Sequence, residues 1–157
     1  LGTLLQQYRA VKDDLPERLR RGLWHVDRSS YCRYLPEAVT NIVTGLEALL
    51  NTGDDEPVTA QFVKRSHLLA EELAIDASRT YWSWIYDVRS KVVHGDEVQL
   101  VGPPGWTGST GDLPPEVAKV AKAQDVLRAA IRRSIEDEDF RDAFATDAAV
   151  RQRWPLQ

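Results

Sequence analysis

The chain has 157 residues, of which 43% are hydrophobic and 28% are charged, so it contains enough apolar material for one globular domain and does not have the composition of a disordered segment. Its net charge of −4 argues against a protein that coats nucleic acid without specificity, although it is compatible with a local basic cleft. The single cysteine, Cys32, cannot form an internal disulfide, and no apolar run has the length of a membrane-spanning helix. We therefore expect a cytoplasmic protein that does not contact a membrane.

Hydrophobic residues recur at helical spacing from the start of the chain. The first predicted helix covers residues 3–12, and the second begins where Asp14 caps it and Pro16 occupies its first turn. The third opens at Pro36 and is stopped from Asn51 onward. Its apolar face is the most regular in the sequence and comprises Val39, Ile42, Val43, Leu46, Leu49 and Leu50.

The second half of the chain follows the same pattern. A fourth helix is predicted over residues 58–74, and a fifth over residues 77–94 ends at Gly95, which can adopt the left-handed cap conformation. Residues 101–115 are too rich in glycine and proline for regular structure and are predicted to form the longest loop. A sixth helix follows over residues 115–136.

A short seventh helix is predicted around Phe140 and Phe144, with the acidic run at residues 136–139 as the turn that caps it. No stretch alternates with period two, so the fold class is predicted to be all-α, an antiparallel helical bundle with a core of four or five helices and further C-terminal helices. We expect a single domain over residues 1–157, with its core at about 14–97, a loop at 98–114 and C-terminal helices at 115–157. Because the sequence starts at Leu1 and has no methionine, we expect a domain cut from a longer chain.

The fifth predicted helix carries two stripes of side chains. At about 100° per residue, one stripe should face the bundle core, and its members are Tyr81, Ile85, Val88 and Val92. The neighbouring stripe comprises Trp82, Tyr86, Arg89, Ser90 and Val93. A partner subunit is the simplest contact for this second stripe, and the alternative is that its aromatic residues pack under the glycine- and proline-rich loop.

Arg89 and His94 lie five residues apart near the end of the fifth helix, about 140° around an ideal helix. Arginine offers a permanent planar cation for phosphate oxygens and histidine can move protons, so the pair suits metal-free cleavage of a phosphodiester. Basic residues are also common at helix ends because they offset the dipole. Arg20 and His25 repeat the same spacing, so spacing alone does not identify a site.

The surroundings of Arg89 and His94 carry more information. Residues 86–95 read YDVRSKVVHG, which resembles the closing motif of HEPN domains, particularly the ApeA-like branch, where an aromatic-containing helix ends in Arg-Ser, a few residues and His-Gly. Residues 45–50 read GLEALL and are similar to the helix that precedes this motif in that branch. Residues 18–21 are consistent with a basic first long helix, and the resemblance covers about residues 15–100. The Arg20–His25 match lacks this context, and His25 is interpreted as structural or exposed.

The resemblance implies a domain that dimerises through the fifth helix and cleaves RNA in a composite groove without a metal or cofactor. The ribose 2′-hydroxyl would attack the adjacent phosphate and leave a cyclic phosphate and a 5′-hydroxyl. Carried over to this sequence, Arg89 would stabilise the phosphate and His94 would act as general acid or base. Ser90 and Tyr86 would support them, and Glu47 would pair with Arg89 to aim it, or be an ordinary surface carboxylate.

Related prokaryotic domains belong to anti-phage or toxin systems and often follow a separate sensing region, which implies a further domain or regulatory partner. Two other interpretations stay open: a catalytically silent HEPN module for dimerisation or nucleotide binding, and an unrelated helical interaction domain. The intact Arg89 and His94 pair favours the ribonuclease.

The histidines and the cysteine have no zinc-ligand spacing. The tryptophans are expected mostly to pack, with Trp82, Trp84 and Trp106 as candidates for stacking a base.

Overall fold

The computed structural model describes residues 2–53, 57–96, 98 and 115–156. Within these ranges the chain is helical and contains no strand, so the all-α prediction is confirmed. The described helices, in chain order, are α1 (Gly2–Val11), α2 (Glu17–Tyr31), α3 (Leu35–Leu50), α4 (Val58–Glu72), α5 (Arg79–His94), α6 (Pro115–Glu136), α7 (Glu138–Asp142) and α8 (Asp147–Arg153). The predicted loop at 98–114, which includes Trp106, lies outside the described residues apart from Val98.

Helix α3 forms the centre of the bundle and packs against α2, α4, α5 and α6. Each of its six predicted core residues is buried, from Val39 through Leu50. Burial of a large aliphatic side chain contributes roughly 1.5–3 kcal/mol relative to leaving it exposed, so this helix supplies much of the driving force for folding. None of the helices in the described part of the chain is both long and apolar enough to cross a membrane.

The start of α2 differs from the prediction that Asp14 caps it. The helix begins at Glu17, directly after Pro16, and has no side-chain cap. Asp14 instead belongs to the turn that ends α1, where its backbone N–H donates to the carbonyl of Val11 at 3.0 Å. A residue that precedes proline is pushed out of the helical region, so the helix cannot extend back through Leu15 to Asp14.

The C-terminal region contains a helix that the sequence pattern did not predict. Helix α7 holds Phe140, while Phe144 lies just beyond its end, and α8 follows with Thr146 as its cap. The predicted acidic cap is confirmed, because the Asp137 side chain accepts a hydrogen bond from the Phe140 N–H at 3.1 Å. Trp154 packs between the two phenylalanines, with ring centroids 4.9 and 6.1 Å away, and attaches α8 to the core.

Helix α5 buries a wider arc than the single predicted stripe. Ile85 and Val88 are buried as expected, but Trp82 is also fully buried, so its placement on a face turned away from the core is wrong. Trp82 and Tyr86 pack against Phe62 of α4, with ring centroids 5.9 and 5.1 Å apart. Trp82 is buried because α5 contacts both α3 and α4, and α4 covers the side of α5 that carries the aromatic residues. Apart from Val93, the residues that α5 leaves exposed are polar.

Candidate functional site

Two caps fix the length of α5 and therefore the position of its last residues. At the start, the Ser78 hydroxyl accepts a hydrogen bond from the Tyr81 N–H at 3.2 Å. At the end, Gly95 adopts φ 77°, a left-handed conformation that glycine reaches without steric cost. The N–H groups of Gly95 and Asp96 then donate to the carbonyls of Val92 and Lys91. His94 is consequently the last residue of the helix, as the motif predicts.

Arg89 is held between α5 and α3. Its Nη2 lies 3.3 Å from Oε2 of Glu47, and its guanidinium carbon lies 5.8 Å from the centre of the Tyr86 ring. The Arg89 side chain is 26% exposed and that of Glu47 is 14% exposed. The Nε of Arg89 is buried and has no hydrogen-bond partner among the residues that the structure describes. The guanidinium therefore has a defined position, a partly open side and one donor that is not used.

Glu47 interacts with both Arg89 and Tyr86. Its carboxylate forms the ion pair with Arg89. Burial raises the pKa of Glu47, and the positive charge of Arg89 and the polar side chain of Tyr86 offset part of that increase. The structure thus contains the predicted Glu47–Arg89 ion pair, and Glu47 does not have the surroundings of an ordinary surface carboxylate.

His94 and Ser90 are placed differently from Arg89. The His94 side chain is exposed and Ser90 is half-buried, and within the described part of the chain neither forms a hydrogen bond or an ion pair. By helical position His94 follows Ser83 and Asp87 on the exposed face of α5, about 140° from Arg89. One subunit therefore brings Arg89, Glu47 and Tyr86 together, and it leaves His94 at the open end of the same helix.

The other histidines and the cysteine have structural surroundings. His25 is half-buried with its Nδ1 3.3 Å from Oδ1 of Asn41, and burial lowers its pKa. His67 has its Nδ1 2.9 Å from the carbonyl of Ala77. Burial raises the pKa of the Cys32 thiol, which makes the thiolate scarcer. Among the described residues no cluster of potential ligands fits a metal ion.

Sequence reasoning did not single out the exposed aromatic residues of the first half of the chain. Trp24, Tyr31 and Tyr34 are 53%, 79% and 73% exposed, although the tryptophans were expected mostly to pack. For Trp24 and Tyr31 the available signal is their position on the polar side of α2, whereas Tyr34 lies after the end of that helix. No protein family model matches the chain, and no match was found among curated proteins or solved structures.

Proposed function

We propose that this chain is a metal-independent endoribonuclease domain of the HEPN type, which cleaves RNA as a homodimer with Arg89 and His94 in the reaction. The observation that carries the proposal is the environment of Arg89, whose guanidinium is fixed by Glu47 and Tyr86 one and a half turns before the terminal His94. The exposed part of the Arg89 side chain supports an anionic ligand, because a guanidinium presents its donors in a planar fork that matches phosphate oxygens. We further propose an anti-phage or toxin system as the setting.

In the proposed reaction the 2′-hydroxyl of a ribose attacks the neighbouring phosphorus. An imidazole accepts the hydroxyl proton as the new P–O bond forms, and a proton is delivered to the 5′ oxygen as the old P–O bond breaks. Arg89 stabilises the negative charge that accumulates on the phosphate oxygens. His94 is the proton carrier, because imidazole is the side chain whose ordinary titration lies closest to neutral pH.

A second subunit is needed in this proposal because Arg89 and His94 point in different directions around one helix. A pair of α5 helices related by a two-fold axis would place two imidazoles and two guanidinium groups along a common groove. One imidazole can then act as base and the other as acid. The exposed Val93, beside His94, is the apolar residue of α5 that such an interface would cover.

Dimerisation gives the first test. In light scattering we expect a mass of twice the 17.7 kDa of one chain. Val93→Asp should shift the protein to the monomer and reduce cleavage, because it buries a charge in the interface. Val58→Asp is the matched control, since Val58 is exposed to a similar extent (50% against 54% for Val93) but lies on α4. A monomer at every concentration, with cleavage retained, would contradict the composite groove.

Glu47 gives the second test, as a residue that positions Arg89. We expect Glu47→Gln to lower the cleavage rate by about 10²-fold with unchanged product ends, because misplacement of a catalytic group by a fraction of its contact distance has effects of this size. Glu37→Gln, at the exposed first turn of the same helix, should have no effect on the rate. A rate in Glu47→Gln equal to that of the wild type would remove the positioning role.

The Glu47–Arg89 ion pair predicts that the cleavage rate depends on pH. Because burial raises the pKa of Glu47, its carboxylate takes up a proton, and the ion pair with Arg89 is lost, at a higher pH than for an ordinary glutamate. The wild-type rate should therefore fall as the pH decreases through this raised pKa. Protonation of the general base should lower the rate of both proteins at low pH. The additional decrease that comes from Glu47 should be absent from the pH–rate profile of Glu47→Gln, whose side chain does not titrate.

A catalytically silent HEPN module is the second candidate, and one observation favours it. Glu47 already neutralises the charge of Arg89 in the isolated subunit, which weakens the attraction of the guanidinium for a phosphate. A purified dimer that leaves RNA intact at every pH tested would favour this candidate over the ribonuclease.

A further inference from the structure

Every aromatic side chain that is more than half exposed, among the described residues, lies between positions 24 and 34. These residues are Trp24, Tyr31 and Tyr34. Large aromatic rings on a surface leave apolar area in water, and they are enriched where proteins contact a ligand or a partner. Two of them, Trp24 and Tyr31, belong to one helix, α2.

Aromatic and cationic side chains alternate along the exposed face of α2. Arg20, Trp24, Arg28 and Tyr31 occupy positions i, i+4, i+8 and i+11, which places them within an arc of about 80°. The exposed Asp27 lies about 20° outside this arc. The opposite side of the helix carries the buried Leu19. At about 1.5 Å per residue the row is roughly 16 Å long, comparable to four or five bases stacked at 3.4 Å. We call these four residues the α2 row.

The charge around the α2 row is positive in an acidic chain. Residues 17–34 contain five arginines and two acidic residues, but Arg18 is half-buried and pairs with Asp147 of α8. The exposed charged residues of this segment are therefore four arginines and two acidic residues, a net charge of +2, whereas the whole chain carries −4. The guanidinium carbon of Arg28 lies 5.1 Å from the centre of the Trp24 ring, so a cation and a stacking surface are presented side by side. Such a combination attracts phosphates and offers a flat surface for a base.

Glu17 restrains the arginines at the other end of the row. Its carboxylate lies 2.8 Å from Arg20 and 3.0 Å from Arg21. All three side chains are more than half exposed, and exposed ion pairs are weak, so a phosphate can replace the carboxylate. A shallow cavity of about 240 Å³ lies here, lined by Glu17, Arg20, Arg21, Trp24 and His25.

We propose that the α2 row binds single-stranded nucleic acid, with bases stacked on Trp24 and Tyr31 and phosphates on Arg20 and Arg28. A single strand fits better than a duplex, because a duplex keeps its base faces stacked internally. An apolar groove lined by Leu4, Leu5, Leu15 and Leu23 adjoins Trp24 and Arg20, whereas Arg28 and Tyr31 lie outside it, so the row as a whole presents rings and cations and not a continuous apolar surface. The α2 row shares no residue with the Arg89 site, so this proposal stands or fails independently of the nuclease.

The test measures binding of labelled eight-nucleotide oligonucleotides by fluorescence anisotropy, with RNA and DNA strands, single and duplex, on a His94→Ala background to prevent cleavage. We expect single strands to bind more tightly than duplexes. Tyr31→Leu and Trp24→Leu should each weaken single-strand binding about tenfold, which is the size expected for loss of one stacked base. Tyr31→Phe should restore it, because a phenyl ring keeps the stacking surface that leucine lacks.

Two charge substitutions complete the test. Glu17→Gln should tighten binding several-fold, because it releases Arg20 and Arg21 from their carboxylate. Arg28→Gln should weaken binding, while Arg9→Gln, at an exposed arginine of α1, should not. The substituted side chains are exposed, so thermal unfolding should be unchanged in every variant. The proposal is overturned if the leucine variants bind as tightly as the wild type, if duplexes bind as tightly as single strands, or if the leucine variants lose only self-association.

Discussion

Replacement of His94 by alanine is expected to lower the rate of RNA cleavage by about 10²–10⁴-fold, the usual contribution of a positioned general acid or base. The imidazole is exposed and makes no hydrogen bond within the described part of the chain, so helical content and thermal stability should not change. The measurement is the initial rate of cleavage of a labelled RNA, with circular dichroism on the same samples.

Arg89→Ala should lower the rate by about 10²–10³-fold, as for loss of a group that stabilises developing charge. It also leaves the half-buried Glu47 carboxylate without its cation, so some loss of stability is expected in this variant and not in His94→Ala. His67→Ala and Arg79→Ala are the matched controls, because the first changes a histidine of α4 and the second an exposed arginine at the start of α5. Undiminished cleavage by His94→Ala would assign the activity to another nuclease in the sample.

Arg65→Met is expected to reduce the free energy of unfolding by about 3–5 kcal/mol, the cost of leaving buried polar groups without their charged partner. Arg65 is fully buried, and its guanidinium donates to the carbonyls of Leu50 at 3.0 Å and Trp154 at 3.1 Å. It also donates to the side chains of Gln61 at 2.8 Å and Thr52 at 3.0 Å. Methionine keeps most of the volume and provides no donor, so these acceptors lose the bonds.

The reduction should appear as a lower midpoint in urea denaturation with an unchanged slope. Arg132→Met is the control, since Arg132 is an exposed arginine whose ion pair with Glu136 is also exposed, and its effect should stay within about 0.5 kcal/mol. An unchanged midpoint for Arg65→Met would show that the end of α3 and the residues after α8 do not depend on this side chain for their attachment.

Most of the helical framework follows from the sequence, because the relevant signals are local. The apolar period of α3 and the glycine after α5 each act within a few residues, and α3, α5 and α6 lie close to their predicted positions. The Glu47–Arg89 pair was also accessible, since α3 is mostly apolar and a carboxylate on it needs a partner.

The structure differs from the predictions at positions where contacts between distant parts of the chain determine the conformation. Trp82 lies on the flank of the predicted core stripe, and only the presence of α4 beside α5 makes that flank an interior surface. Helix α8 is too short to show a period of its own. It forms because Thr146 caps its first turn and Trp154 enters the phenylalanine cluster.

At the candidate site, too, the sequence indicates some contacts and not others. The contacts of Arg89 are within one subunit, and the pair with Glu47 is one of the two interpretations of Glu47 that the sequence left open. The effect of Tyr86 on Glu47 depends on the packing of Tyr86 against Phe62, which the periodicity of the sequence does not specify. The partner of His94 belongs to the proposed second subunit, which no local pattern specifies.

The most direct test of the proposal is digestion of a defined RNA in the presence of a chelator, followed by analysis of both ends of the products. We predict a 2′,3′-cyclic phosphate on one product and a 5′-hydroxyl on the other, formed at the same rate with and without the chelator and absent with His94→Ala. Cleavage that stops in chelator, or that yields a 5′-phosphate, would contradict a reaction carried by Arg89 and His94.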